Sequence, residues 1–194
     1  MYEFIRGKMV EKNPASVVVD CNGMAYLLNI SLQTYTRLGD SEQCRLYTHL
    51  VVKEDALILY GFYDKQEREL FRQLISVTGI GAGTARMILS SLPPDEVIEA
   101  IVRGNAELLK SIKGIGLKTA QRIIIDLKDK LSKDLLPSEK LGFAHNTTRD
   151  EALSGLVILG FQKMAAEKAL NKVIEKDGMA LTVEQMIRQA LKFL

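Results

Sequence analysis

The sequence predicts an α+β fold with several domains: an N-terminal β-barrel, a central helical domain and a C-terminal three-helix domain. Two observations predict this order. The spacing of apolar residues changes from that of short strands to that of helices at about residue 64, and a stretch without clear periodicity precedes the last helices. The predicted domains are residues 1–63, 64–131 and 148–194, and we interpret residues 132–147 as a flexible linker.

The composition is that of an ordinary globular protein and excludes several functional classes. Of the 194 residues, 47% are hydrophobic, but no apolar run approaches the ~20 residues of a membrane helix, so we expect no membrane partner. Cys21 and Cys44 are too few and too isolated for a disulfide framework or a zinc site, which favours a reducing, cytoplasmic location. The net charge of +2 is too small for nucleic-acid binding by charge alone, so any such contact must depend on local geometry.

The first 63 residues have the pattern of short strands separated by turns. A β-branched run at Val17–Val19 follows the turn signal Asn13-Pro14 and precedes a second signal, Asn22-Gly23. Three further strand-like runs are Met24–Ile30, Cys44–Val52 and Leu57–Tyr60. Such spacing predicts a small barrel. A five-stranded barrel of the oligonucleotide-binding (OB) type fits this length, and an SH3-like barrel is the alternative.

The central segment has helical periodicity. Residues 67–77 place four apolar side chains on one face of a helix: Leu70, Phe71, Leu74 and Ile75. Pro93-Pro94 indicates the start of another helix, because proline is favoured in the first turn and the acidic Asp95 and Glu96 suit the helix dipole there.

The C-terminal segment contains two signals for the start of a helix. Thr148 with Glu151, and Thr182 with Gln185, both match the capping-box pattern. An apolar stripe at helical spacing between them predicts a further helix. We therefore expect a domain of three short helices, with its first interhelical turn at Leu159-Gly160-Phe161.

The central segment also repeats itself. Residues 79–89 (GIGAGTARMIL) align with residues 114–124 (GIGLKTAQRII) at six of eleven positions, 35 residues apart. In each copy a Gly-Ile-Gly turn joins two helices, and glycine lets the backbone adopt positive φ and approach another surface closely. The next helix then presents its free N-terminal N–H groups, which form an anion site that suits a phosphate.

Two helix-hairpin-helix motifs that hold the DNA backbone are therefore predicted. Their candidate DNA-binding residues are Gly79, Gly81, Ala82, Gly83 and Thr84 in the first hairpin, and Gly114, Gly116, Leu117, Lys118, Thr119 and Arg122 in the second. A single Gly-x-Gly turn often does no more than end a helix, but two copies in the same setting favour a function. No strand precedes the glycines, as a dinucleotide-binding loop requires, and no Walker pattern occurs.

The main alternative is a helix-hairpin-helix DNA repair enzyme that acts on damaged or branched DNA; another is a scaffold whose hairpins pack on proteins. Repair enzymes of this type add a catalytic Asp or Lys in a base-flipping pocket. Asp126 follows the second hairpin but is predicted to lie on a helix surface, and His49 and His145 lack metal or triad partners at a suitable spacing. We therefore predict no catalytic residue, metal site or cofactor.

The whole chain resembles the RuvA family, the Holliday-junction-binding subunits of the bacterial branch-migration complex. Besides both hairpins, the matching residues are Phe4-Ile5-Arg6-Gly7, residues 48–55 (THLVVKED), Leu59-Tyr60-Gly61-Phe62, Lys65-Gln66-Glu67-Arg68, Leu70-Phe71, Ala152-Leu153 and Leu159-Gly160-Phe161. The sequence departs from the family pattern at Gly83 and Leu117, where lysine is common, which leaves Lys118 as the basic residue of the second hairpin's turn.

The resemblance implies a function and a set of partners. It implies a homotetramer, or an octamer on DNA, that holds four-way junction DNA open, with an acidic pin at Glu54 and Asp55. It also implies that the C-terminal domain is UBA-like and binds the RuvB ATPase, for which Leu159, Gly160 and Phe161 are the candidate residues, and that the RuvC resolvase is a further candidate partner.

Overall fold

The computed structural model describes residues 2–135, 148–178 and 181–194. The chain divides into two compact units, Met1–Leu136 and Pro137–Leu194. The first unit contains both the predicted barrel and the predicted helical domain. Within the described ranges, no helix is both long enough and apolar enough to cross a membrane.

The N-terminal part of the first unit is a closed barrel with the strand order β1-β2-β3-β5-β4. Its strands are β1 (Phe4–Asn13), β2 (Ser16–Asp20), β3 (Ala25–Ile30), β4 (Gln43–Val52) and β5 (Leu57–Phe62). Neighbouring strands are antiparallel except β3 and β5, which are parallel. A helix between β3 and β4 completes an arrangement that matches the OB type, so the structure favours that prediction over the SH3-like alternative.

The turns and the interior of the barrel follow from its sequence. The side chain of Asn13 accepts hydrogen bonds from the backbone N–H groups of Ala15 and Ser16, and Asn22 and Gly23 both have positive φ, so both predicted turns are present. Alternating side chains of the strands point inward, and with Leu38 from the segment between β3 and β4 they form the barrel core: Ile5, Val17, Val19, Leu28, Ile30, Cys44, Leu46 and Leu59.

The helix α1 (Leu32–Leu38) lies within a region whose sequence pattern indicates only β structure. Its start is capped by Ser31, whose side chain accepts from the Thr34 N–H group. The hydroxyl groups of Ser31 and Thr34 both donate to the buried carboxylate of Glu67, at 2.6 Å in the case of Thr34. Burial raises the pKa of Glu67, and the two hydroxyl groups act in the opposite direction. Tertiary contacts with Glu67 therefore hold α1 in place.

Five helices follow the barrel in the first unit: α2 (Lys65–Ile75), α3 (Ala82–Ser91), α4 (Pro94–Val102), α5 (Ala106–Lys110) and α6 (Leu117–Leu135). The predicted start of α4 is confirmed, and the predicted apolar face of α2 is buried through Leu70, Phe71 and Leu74. The Phe71 ring packs on Tyr60 and Phe62 of β5, with ring centroids 5.0 and 4.8 Å apart. This continuous core explains why barrel and helices form one unit.

The structure differs from the predicted linker, residues 132–147, at its N-terminal boundary. Helix α6 runs through Leu135, four residues into that segment. Leu127 and Leu131 are both buried at an i, i+4 spacing, and no proline or glycine interrupts the helix before residue 137. The prediction placed the boundary too early, because the apolar face continues to this point. The remainder, residues 136–147, lies outside the described residues.

The second unit contains α7 (Thr148–Ile158), α8 (Lys163–Asp177) and α9 (Val183–Ala190). Helix α7 begins at Thr148, and the capping box of Thr182 and Gln185 is present at the start of α9. The three helices enclose a small core of their own: Ala152, Leu156, Ala166, Ala169, Leu170, Val173, Met186 and Ala190.

Candidate nucleic-acid interface

The two glycine hairpins have the same backbone geometry. Gly79 and Gly114 adopt φ values of 93° and 90°, which only glycine adopts without strain. The isoleucine that follows each of them is almost fully buried, at 4% exposure for Ile80 and 5% for Ile115. Each isoleucine N–H donates to a carbonyl three residues earlier, at 3.0 Å in both hairpins. The predicted repeat is therefore a repeated structure.

The second glycine of each hairpin immediately precedes a helix. Gly81 is the N-cap of α3 and no side chain caps that end, while Gly116 directly precedes α6. The carbonyls of Gly81 and Gly116 accept from the Ala85 and Ala120 N–H groups, both at 2.9 Å. Neither helix has an acidic residue in its first turn. Both ends therefore offer backbone N–H groups and the positive end of a helix dipole, without an acidic side chain to repel an anion.

The space in front of the hairpin glycines is open. A Cβ atom built on Gly81, Gly83 or Gly116 would meet no atom within 4 Å, and all three residues are exposed. Any side chain at these positions would project into solvent at the place where an anion would bind. Glycine thus permits a ligand to approach the backbone closely, which a phosphodiester chain requires.

The remaining candidate DNA-binding residues lie within the first two turns of the two helices. Ala82 and Thr84 are partly exposed on α3, and Leu117, Lys118 and Arg122 are exposed on α6, where Thr119 is partly exposed. The structure therefore gathers the candidates at two helix ends, and the longer basic side chains belong to the second hairpin.

Arg86, the only cation of α3, does not lie free beside the first hairpin. Its Nη1 atom donates to the Ala15 carbonyl at 3.1 Å and to the Asn29 side-chain oxygen at 3.0 Å, both on the barrel. Sequence reasoning missed this contact, because the partners are separated from Arg86 by 71 and 57 residues.

The two predicted pin residues, Glu54 and Asp55, lie in the turn between β4 and β5. We call residues 53–56 the acidic loop. Its ends are joined by a hydrogen bond of 2.8 Å from the Lys53 N–H to the Ala56 carbonyl, and both acidic side chains are exposed. The barrel thus presents two carboxylates at the tip of a tight hairpin.

The three candidate partner-binding residues have different surroundings. Leu159 is exposed, Gly160 has a φ of 99° in the turn after α7, and Phe161 packs against the core of the second unit. Sequence reasoning missed Ile158 and Met164, which are 85% and 71% exposed. The run of apolar residues from Leu156 to Leu159 is the signal for Ile158, since a helix on a small core can bury only one face of such a run.

Of the three residues considered for catalysis, two lie in the described ranges, and each contacts a neighbouring side chain of the fold. The His49 ring contacts the Phe71 ring edge-on at 5.5 Å, and burial lowers the pKa of His49, with Arg72 and Arg68 acting in the same direction. Asp126 lies on α6 beside Arg122, with 3.6 Å between Oδ2 and Nε. His145 lies outside the described residues. In the part of the chain that the structure describes, no three His, Cys, Asp or Glu side chains are grouped to hold a metal ion.

Comparison with family models gives three consecutive matches. Residues 1–61 match the RuvA N terminal domain, residues 71–129 match the SAM-like helix-hairpin-helix tandem, and residues 147–194 match the RuvA C-terminal domain. The matches follow the barrel, the two hairpins and the last three helices.

Full-length relatives agree with these matches. Proteins named Holliday junction branch migration complex subunit RuvA from Christiangramia forsetii and Flavobacterium psychrophilum are each 51% identical to this chain. The protein of the same name from Bacteroides fragilis is 46% identical over 202 residues. In all three cases the alignment covers 100% of both proteins. The chain therefore belongs to the RuvA family.

Proposed function

We propose that this chain binds four-way junction DNA as a homotetramer, holds the junction open and brings the RuvB ATPase to it for branch migration. The relatives are named as subunits of a Holliday junction branch migration complex. The observation that carries the proposal is the pair of hairpins with the same turn geometry. In each hairpin, an exposed glycine directly precedes the N-terminus of a helix, and the space in front of that glycine is open.

The hairpins would hold the DNA backbone and would not read its sequence. Backbone N–H groups and helix N-termini bind phosphate oxygens, and such contacts carry no direct information about base identity. Lys118 and Arg122 would add the ionic part on the second hairpin. A protein with a net charge of only +2 can then bind DNA, because geometry supplies most of the contact.

The acidic loop would add a preference for junctions to this binding of the DNA backbone. In a fourfold assembly, four copies of Glu54 and Asp55 would lie around the axis, where they would repel phosphates and keep the crossing strands apart. The same repulsion would oppose the binding of continuous duplex across the centre. A second tetramer on the opposite face, giving an octamer, and the RuvC resolvase are further proposed partners.

The second unit would bind RuvB. It has its own core, and the exposed apolar side chains of Ile158, Leu159 and Met164 provide a surface for a protein partner. In this proposal RuvB supplies ATP hydrolysis in the cytoplasm, and the chain itself is a DNA-binding subunit without catalysis.

A binding titration with two DNA substrates tests the proposal. Labelled four-way junction and linear duplex of the same length are titrated with the full chain and resolved by gel shift, and the mass of the complex is measured by light scattering. We expect tetramers that bind the junction at least tenfold more tightly than the duplex. Equal affinities, or a monomeric complex, would contradict the proposal. Strand cleavage or base release by this chain, with no other protein present, would favour the repair-enzyme alternative.

A further inference from the structure

Helix α3, which begins at the first hairpin, is attached to the barrel by polar contacts on one face. Arg86 donates through Nη1 to the Ala15 carbonyl and to the Asn29 side chain, at 3.1 and 3.0 Å. One turn later, Ser90 Oγ accepts from the Leu32 N–H at 3.1 Å and donates to the Arg86 carbonyl at 2.8 Å. Positions 86 and 90 share a helix face because they are four residues apart.

The acceptors of Arg86 belong to firmly held parts of the barrel. The Ala15 carbonyl, in the β1–β2 turn, also accepts from the Ile30 N–H at 3.0 Å. Asn29 lies in β3, opposite Ser16 in β2 and Tyr60 in β5. The guanidinium group therefore connects α3 to the region where three strands meet, and its partners there are neutral.

We propose that Arg86 is a positioning residue for junction recognition: it fixes the first hairpin relative to the barrel that carries the acidic loop. Arg86 follows the N-cap Gly81 by five residues, or about 7.5 Å along the helix. A shift of α3 on the barrel would therefore displace the hairpin itself. This inference rests on the proposed function, because the distance between hairpin and acidic loop matters only where junction DNA meets both.

The contact between the two hairpins does not need Arg86. Ile80 and Ile115 belong to the same core, together with the apolar faces of α3 and α6. Loss of the Arg86 contacts leaves that core intact, so the grip on plain duplex is expected to persist. Two further contacts attach α2 to the barrel: Phe71 packs on Phe62 of β5, and Arg68 pairs with Glu3 at 2.7 Å. We therefore expect a moderate effect.

A double-mutant cycle separates positioning from a direct phosphate contact. The full chain is compared with Arg86→Ala, Asn29→Ala and the double variant, by titration with four-way junction and linear duplex at several salt concentrations. We expect each single variant to lower the junction-to-duplex preference about threefold or more, as the loss of one hydrogen bond does. The double variant should lose no more than the worse single variant. Duplex affinity and its salt dependence should stay unchanged.

Arg86→Gln is the matched variant, because it keeps an N–H donor and removes the charge. It should retain more junction preference than Arg86→Ala if the residue acts by positioning. Thermal unfolding of each variant checks that both units remain folded.

Two results would overturn the inference. In one, the slope of log K against log salt for duplex falls by about 0.9, the value for one phosphate contact, in both Arg86→Ala and Arg86→Gln, while the slope for Asn29→Ala stays unchanged. That result would identify Arg86 as a phosphate ligand. The other is an unchanged junction preference in all variants. If the unmodified chain itself shows no junction preference, the proposed function has failed, and this outcome is distinct from both.

Discussion

Lys118 and Arg122 lie one helical turn apart on α6, but their electrostatic surroundings differ. Arg122 Nε lies 3.6 Å from the Asp126 carboxylate, in an i, i+4 pair on the helix surface. Among the ion pairs of the described residues, none includes Lys118. Since an adjacent carboxylate offsets part of the positive potential that Arg122 offers to a phosphate, Lys118 should contribute more of the ionic attraction.

Alanine substitutions at these two positions should therefore have unequal effects. Lys118→Ala is expected to weaken junction binding and to reduce the slope of log K against log salt by about 0.9, the value for one phosphate contact. Arg122→Ala should reduce it less, and Asp126→Asn should strengthen binding. The measurement is a gel-shift titration at four or more salt concentrations.

Arg103 provides the matched control. It is an exposed arginine with an i, i−4 acidic partner, Glu99, at 2.8 Å, but it is the C-cap residue of α4 and belongs to neither hairpin turn. Arg103→Ala should leave the salt slope unchanged. An equal loss at Arg103 would mean that net charge, rather than the second hairpin, determines binding.

At the scale of elements, the acidic loop is the connection between two paired strands. β4 and β5 are paired from Tyr47 with Phe62 to Val52 with Leu57, and the loop closes with one backbone hydrogen bond. The register fixes where Glu54 and Asp55 stand relative to the barrel. The loop is therefore held by strand pairing on both of its sides, as a repulsive element near DNA requires.

Neutralising the acidic loop should reduce discrimination between substrates. We expect Glu54→Gln with Asp55→Asn to raise affinity for linear duplex several-fold while junction affinity changes less, because the repulsion opposes mainly continuous duplex. The matched control is Glu11→Gln with Asp40→Asn, the same charge change on β1 and in the segment that precedes β4, whereas the acidic loop follows β4. If both double variants raise duplex affinity equally, the acidic loop has no specific role.

The elements that sequence could predict are those fixed by local chemistry. The turn glycine Gly79, the buried Ile80 and the capping box at Thr182 each depend on neighbours within a few residues, so their patterns are visible in the chain. Helix α1 could not be predicted, because it depends on Glu67, 33 residues beyond Thr34. The contacts of Arg86 could not be predicted for the same reason, since its acceptors come together only when the barrel closes.

At the scale of the whole molecule, the proposed function assigns two tasks to two compact units of the chain. The barrel and hairpins have cores that share no residue with the core of the second unit. The hairpins and the acidic loop all lie in the first unit, and the exposed apolar residues Ile158 and Met164 lie in the second. Independent cores allow a change on one unit's surface to leave the fold of the other unaffected.

This separation predicts opposite effects for substitutions in the two units of the full chain. Ile158→Ser with Leu159→Ser should leave junction affinity unchanged, because no DNA-binding candidate is altered, but should lower the junction-dependent ATPase activity of purified RuvB at least severalfold. Lys118→Ala should weaken junction binding. A saturating concentration of this variant should restore the ATPase activity of RuvB, since the second unit of the variant is intact. Leu27→Ser, which replaces an exposed leucine on the barrel, is the control for loss of surface apolar area and should alter neither readout. If the Ile158 and Leu159 variant stimulates RuvB fully, the partner surface lies elsewhere on the chain; if it also loses junction binding, the two tasks are not separated as proposed.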